Sequence, residues 1–185
     1  ASDEVFQALA DGAADLGKRA DIWVYKSQLG LNTFAYVSLG LDATTLVGEP
    51  ADGDSVLAVA AHATKLSWFS CAQDGPFIFN TGQTLGGIAY FSSRGPRRDG
   101  VLKPDISAPG LGIATLHSTQ APGILFGSDV DDGVHEMALG TSFSSPLAAG
   151  AAALFLQFSP GAAPSTVRQA FASHAREDSD TGSLP

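Results

Sequence analysis

Cysteine is almost absent. Cys71 is the only one in 185 residues, so no disulfide can close within the chain. A lone cysteine of this kind reads as a small buried hydrophobe. Basic residues are also scarce. Ten Lys and Arg stand against 19 Asp and Glu, for a net charge of −9. That is the wrong sign for a nucleic-acid-binding surface. No apolar run reaches the roughly 18 residues that a membrane-spanning helix needs. The longest, Leu147 to Phe158, is broken by Gln157 and reads as a buried helix. The first residues, Ala1-Ser2-Asp3-Glu4, carry no charged-then-apolar leader. Secretion stays open, because such a chain can start inside a longer precursor. There is no low-complexity tract and no internal repeat.

What is present is globular. The chain is 44% hydrophobic and 16% charged, with a length suited to one core. Twenty-one glycines and ten prolines imply many tight turns.

One stretch organises the rest: Met137-Ala138-Leu139-Gly140-Thr141-Ser142-Phe143-Ser144-Ser145-Pro146, followed by the apolar Leu147 to Leu156. It reads as a strand end, a sharp Gly-Thr-Ser corner and a helix. A serine at such a corner can expose its hydroxyl above a helix N-terminus, where free N–H groups favour negative charge. Acyl-bond hydrolysis needs that pairing of a nucleophile with an oxyanion donor. The plainer alternative is a capping serine, since Ser is common at helix starts.

The segment Gly-Thr-Ser-x-Ser-Ser-Pro-x-x-x-Gly resembles the nucleophile motif of the subtilisin-like serine proteases, the subtilases, and the residue in the nucleophile's place is Ser142. A second block lies upstream in the family's order. Phe91-Ser92-Ser93-Arg94-Gly95-Pro96, then Lys103-Pro104-Asp105-Ile106-Ser107-Ala108-Pro109-Gly110, is similar to the family run FSSRGP…KPDIxAPG. The resemblance implies an α/β fold: a mostly parallel sheet with flanking helices and a buried central helix after the nucleophile. It also implies an incomplete domain. Residues 1–176 would be the C-terminal portion of a peptidase domain, and 177–185 a disordered tail or cut end.

Taken in order, residues 3 to 19 show helical spacing, with Val5, Leu9 and Ala13 beside Phe6, Ala10 and Ala14. Ile22 to Tyr25, Ala35 to Leu39 and Val56 to Ala61 read as buried strands, as in a covered parallel sheet. Trp68-Phe69 and Phe77-Ile78-Phe79 suit a surface hairpin. Pro109-Gly110 reads as a turn. Residues 111 to 136 then lead from it to the nucleophile strand, with Ile124-Leu125-Phe126 and Val134 to Leu139 pairing. Asp129-Val130-Asp131-Asp132-Gly133 invites a calcium reading. Gly133 falls where a third oxygen ligand is needed, so a solvated acidic turn is the better reading. Ser159-Pro160-Gly161 stops the central helix. Pro164 opens another, with Val167, Phe171 and Ala175 as its buried stripe and Ala170 beside it.

A serine hydrolase also needs a base and a group that orients it. The subtilase contexts for these, Asp-Ser/Thr-Gly and His-Gly-Thr-His, are not in the sequence. None of the four histidines, His62, His117, His135 and His174, is followed by Gly-Thr-His. Each reads as a surface or packing residue. The resemblance also places Leu41 where the family has its oxyanion-hole Asn; Asn32 and Asn80 are not in an Ala-Gly-Asn context. An α/β-hydrolase is excluded, because Gly140-Thr141-Ser142-Phe143-Ser144 is not Gly-x-Ser-x-Gly and no convincing later Asp precedes His174.

The expectation is therefore a subtilisin-type serine endopeptidase acting on polypeptides through Ser142. Its own backbone N–H would help hold the oxyanion. A His and an Asp would come from a segment or chain outside this sequence, such as an N-terminal fragment of the same protease. No organic cofactor is implied, and calcium is implied by family analogy alone. The family also implies an extracellular location. The alternative is a catalytically dead pseudoprotease that binds or scaffolds proteins, motivated by Leu41 and the missing base.

Overall fold

The run from Val59 to Ala63 is short, mostly apolar and built of small side chains, which suits a strand covered on both faces. In the computed structural model, which describes residues 44–69, 76–78, 82–118, 120 and 134–176, that run is strand β1 (Val59–Ala63). The strand expected at Val56 to Ala61 thus lies slightly further along. β2 (Ser67–Phe69) and β3 (Pro76–Ile78) pair antiparallel as the expected hairpin. β4 (Ile106–Leu116) and β5 (His135–Leu139) complete the set of described strands.

The main described sheet has the order β1-β4-β5. β1 and β4 are parallel, and β4 and β5 are antiparallel. The long central strand changes neighbour along its length. Ile106 to Leu111 faces β1, whereas Leu111 to Leu116 faces β5. Leu111 alone is opposite both, paired with Ala63 on one side and Leu139 on the other. It is fully buried and packs with Ala61, Ala63 and Ala89, against which Leu66, Phe91 and Leu139 also lie. The sheet is therefore stitched together at one residue layer, directly below the strand end that leads to Ser142.

Pro109-Gly110 is not the turn expected from sequence; β4 runs through it. Proline lacks a ladder donor and is tolerated where one strand edge is free. Pro109 is opposite His62 of β1, before β5 joins the other side. The register slips between His62 and Ala63, and again between Leu111 and Ile113. These bulges let a strand bend without ending. Val134 to Leu139 is a strand as expected, but its described partner is β4; Ile124 to Phe126 lies outside the described residues.

Helix α1 (Thr141–Phe158) follows β5 after the single residue Gly140. Its eighteen residues are rich in alanine and leucine, the strongest helix formers. It packs on β4 and β1 and touches β5. Ser144 and Ala148 are buried, one turn apart, with Ala152 and Phe155 half-buried along the same stripe. A buried helix was the expectation, and the structure corrects it to burial on one stripe only. Leu147, Leu154 and Phe158 are 49%, 62% and 86% exposed. The sheet covers one stripe of a helix, and among the described residues nothing covers the opposite one. An uncovered apolar face of this kind favours association. The 185-residue chain is expected to self-associate, and Leu154→Lys with Phe158→Ser to shift it toward monomer in sedimentation velocity. A dispersed monomer before substitution would count against this.

Helix α2 (Pro164–His174) opens on the expected proline. Val167 is buried, and Ala170 and Phe171 are half-buried. Ala175 is not part of the stripe, because it caps the helix and is exposed. Phe171 meets Phe155 of α1 edge-on, with ring centroids 6.3 Å apart. No described helix is long and apolar enough to cross a membrane. The segments at 3 to 19, 22 to 25 and 35 to 39 lie outside the described residues, as do 129 to 133 and the tail from 177.

Candidate active site around Ser142

The corner between β5 and α1 is made by one residue. Gly140 has φ 142° and ψ 154°, a conformation that side chains rarely adopt and glycine accepts readily. Its N–H donates to the Gly110 carbonyl at 2.7 Å, tying the corner to β4. Its carbonyl accepts from the Phe143 N–H at 3.1 Å, closing the first turn. Thr141 and Ser142 are the next two positions of the helix, and both are exposed.

N–H groups in a helix's first turn lack intrahelical acceptors. No acidic side chain lies in the first turn of α1 to compete for them. The turn therefore presents positive dipole density beside an exposed hydroxyl. Pro146 adds a feature the motif reading missed. It sits inside α1 and has no N–H, so the Ser142 carbonyl, four residues earlier, loses its usual helical donor. Ser144 supplies the packing instead. Its side chain is fully buried and its hydroxyl donates to the Thr141 carbonyl at 3.1 Å. The two serines divide the work: Ser144 holds the turn and Ser142 faces outward. A residue-type reading cannot separate them; their spacing on the helix does.

The upstream motif turns out to be structural. Ser92 is buried, and its hydroxyl accepts the Ala61 N–H at 3.0 Å. Lys103 Nζ donates to the Val56 carbonyl at 2.6 Å and to Asp105 Oδ2 at 2.7 Å. The same Oδ2 accepts the Ala58 N–H at 2.7 Å. Arg168 of α2 approaches the other carboxylate oxygen at 3.3 Å. Lys-Pro-Asp thereby fastens the start of β1 to the start of β4 and to α2.

The histidines do not assemble on Ser142. His135 opens β5 opposite Leu116, at the end away from the corner. Four residues at about 3.3 Å each put it about 13 Å along the strand from Leu139. His117 sits at that same far end, with Nδ1 3.2 Å from Glu136 Oε2. His174 ends α2, its ring against Ser173 and the Ala170 carbonyl. His62 is on β1, with Nδ1 3.2 Å from the Ser107 hydroxyl. Among the described residues no histidine is hydrogen-bonded to Ser142, and no group of three or more His, Cys, Asp or Glu could hold a metal ion. Leu41, Asn32, Asn80 and Cys71 lie outside the described residues.

His62 carries a pH prediction. Burial pushes its pKa below the usual histidine value, because a charged ring is poorly solvated there. The unfolded chain then binds more protons than the folded one between the depressed value and about 6.5. Stability rises with pH through that window, and the penalty is absent above it. Melting temperature should fall as pH drops below about 6.5, and His62→Gln should flatten that part of the profile. An unchanged slope in the variant would remove His62 as the cause.

Subtilase sequences as a group match this chain over residues 17–184, nearly its whole length. The chain belongs to the subtilase family. Individual relatives agree. An uncharacterised protein of Aquifex aeolicus is 34% identical over 73% of this chain and 57% of its own length. The serine protease AprX of Bacillus subtilis is 42% identical over 44% of the chain and 19% of its own length. A subtilisin-like protease of Arabidopsis thaliana is 40% identical over 45% of the chain and 11% of its own length. The chain thus spans little more than half of the first relative and under a fifth of the other two. Within this subtilase, the exposed serine of the Gly-Thr-Ser corner is where the family motif and the backbone geometry coincide.

Proposed function

We propose that the chain is the nucleophile-bearing part of a subtilisin-type serine endopeptidase. The observation that carries this is the placement of Ser142: exposed, two residues into α1, behind a corner that Gly140 alone makes. In the scheme, Ser142 Oγ attacks the carbonyl carbon of a peptide bond. The hydroxyl proton passes to a histidine outside these 185 residues, oriented by an aspartate that is also outside. The carbonyl oxygen becomes an oxyanion beside the Ser142 N–H and the start of α1. The histidine returns the proton to the leaving amine. Water then releases the acyl group by the same route in reverse.

Calcium is carried by family analogy alone and is given no step in the scheme. The substrate class is polypeptide, the partner an N-terminal fragment or chain of the same protease, and the location extracellular.

The test is a fluorophosphonate probe on the full-length protein. The activated Oγ displaces fluoride from phosphorus and leaves a stable adduct. Peptide mapping is expected to find it on Ser142. No adduct, with the fold shown intact, would favour the other reading, a pseudoprotease that binds or scaffolds proteins.

A further inference from the structure

We propose that Gly110 of β4 is a positioning residue for the nucleophile corner: its missing side chain lets Ala61 and Gly140 close on it, and that approach sets where Ser142 stands. The catalytic half of this inference rests on the reading of Ser142 as the nucleophile.

The geometry is tight on two sides. A Cβ at Gly110 would lie 2.5 Å from the Ala61 Cβ, 3.1 Å from the Ala61 Cα and 3.2 Å from the Gly140 carbonyl oxygen. The first distance is shorter than packed carbon atoms tolerate. None of these atoms is the free end of a flexible side chain, so relief requires backbone movement.

Ala61 is poorly placed to move. Its N–H is held by the Ser92 hydroxyl at 3.0 Å, and its carbonyl accepts the Ala89 N–H at 2.8 Å. It is fully buried within the β1 pairing. The corner is held at this point by the Gly140 N–H bond to Gly110, and the Gly140 carbonyl in turn caps Phe143. Strain introduced at Gly110 therefore passes to Gly140 and on to the first turn of α1. A shift of about 1 Å in a reacting group can cost on the order of 100-fold in rate.

The experiment uses the full-length protein with Gly110→Ala, and with Gly110→Ala combined with Ala61→Gly, which removes the nearest obstructing carbon. Two quantities are read: the rate of fluorophosphonate labelling at Ser142, and the hydrogen-exchange protection of the Gly140 amide. Gly110→Ala is expected to slow labelling by about 10- to 100-fold and to weaken Gly140 protection. The double variant is expected to recover both. Labelling at the parental rate in folded Gly110→Ala would overturn the proposal, as would a loss that Ala61→Gly does not restore. If the parent protein does not label at all, the protease reading fails separately. The amide then decides: protection lost and regained supports positioning, and unchanged protection overturns it. If Gly110→Ala alone does not fold, a folded double variant supports the proposal; a double variant that also fails to fold removes Ala61 as the obstacle and overturns it.

Discussion

Ser142→Ala in the full-length protein is expected to lower turnover of a peptide substrate by on the order of 10⁶-fold, the scale seen when a serine protease loses its nucleophile. The melting temperature should barely change. Both halves follow from the corner. Ser142 is exposed and Ser144 is buried with its hydroxyl on the Thr141 carbonyl, so the outward hydroxyl is not what holds the turn. Alanine is at least as good as serine inside a helix. The variant should still bind substrate, so KM should move little while kcat collapses. A residual rate above that of water is expected, because the oxyanion donors remain. Steady-state kinetics with thermal unfolding on the same preparation checks this. Loss of kcat below about tenfold would remove Ser142 as nucleophile, since a missing nucleophile cannot be so cheap. Equal loss in Ser144→Ala, without unfolding, would show that the two serines had been given the wrong roles.

The elements read well where a local cause determines them. Gly140, the apolar run behind it, the Ser159-Pro160-Gly161 stop and Pro164 each act within a few residues, and α1 and α2 fall where those signals place them. The short antiparallel hairpin, Ser67–Phe69 with Pro76–Ile78, was legible for the same reason. What failed was non-local. Pro109-Gly110 has the composition of a turn, yet β1 on one side carries the strand through it. The pairing that overrides the local preference comes from residues nearly fifty positions away. Burial of α1 was also misread, because an apolar helix declares that it wants covering and does not say what covers it. The site divides likewise. The exposed strand-to-helix corner at Ser142 was legible from its local sequence, while the structural duty of Ser92, Lys103 and Asp105 was not. Those residues resemble a functional motif, and their partners are the backbone of β1 and an arginine of α2.

Asp105→Ala is expected to destabilise the fold by about 3–5 kcal/mol, the usual result of leaving a buried charge without its partner. The Lys103 side chain has no solvent exposure and that of Asp105 only 10%. Without the carboxylate, the ammonium keeps only the Val56 carbonyl, far too little to replace water. The Ala58 N–H loses its acceptor and Arg168 loses its counter-charge at the same time. Lys103→Met should cost clearly less. It removes the buried positive charge, and Asp105 retains the Ala58 N–H and the Arg168 guanidinium. The asymmetry is the informative part. An ion pair valued only for its attraction would lose similar amounts whichever partner is removed. A carboxylate serving three elements makes the aspartate the costlier loss. Urea unfolding of the two variants at neutral pH, with equal m-values required before midpoints are compared, checks it. Equal destabilisation would mean that Asp105 does no more than neutralise Lys103. Greater loss in Asp105→Ala, with early exchange of α2 amides, would show that one carboxylate pins α2 to the sheet, and through Phe171 and Phe155 braces the helix that carries Ser142.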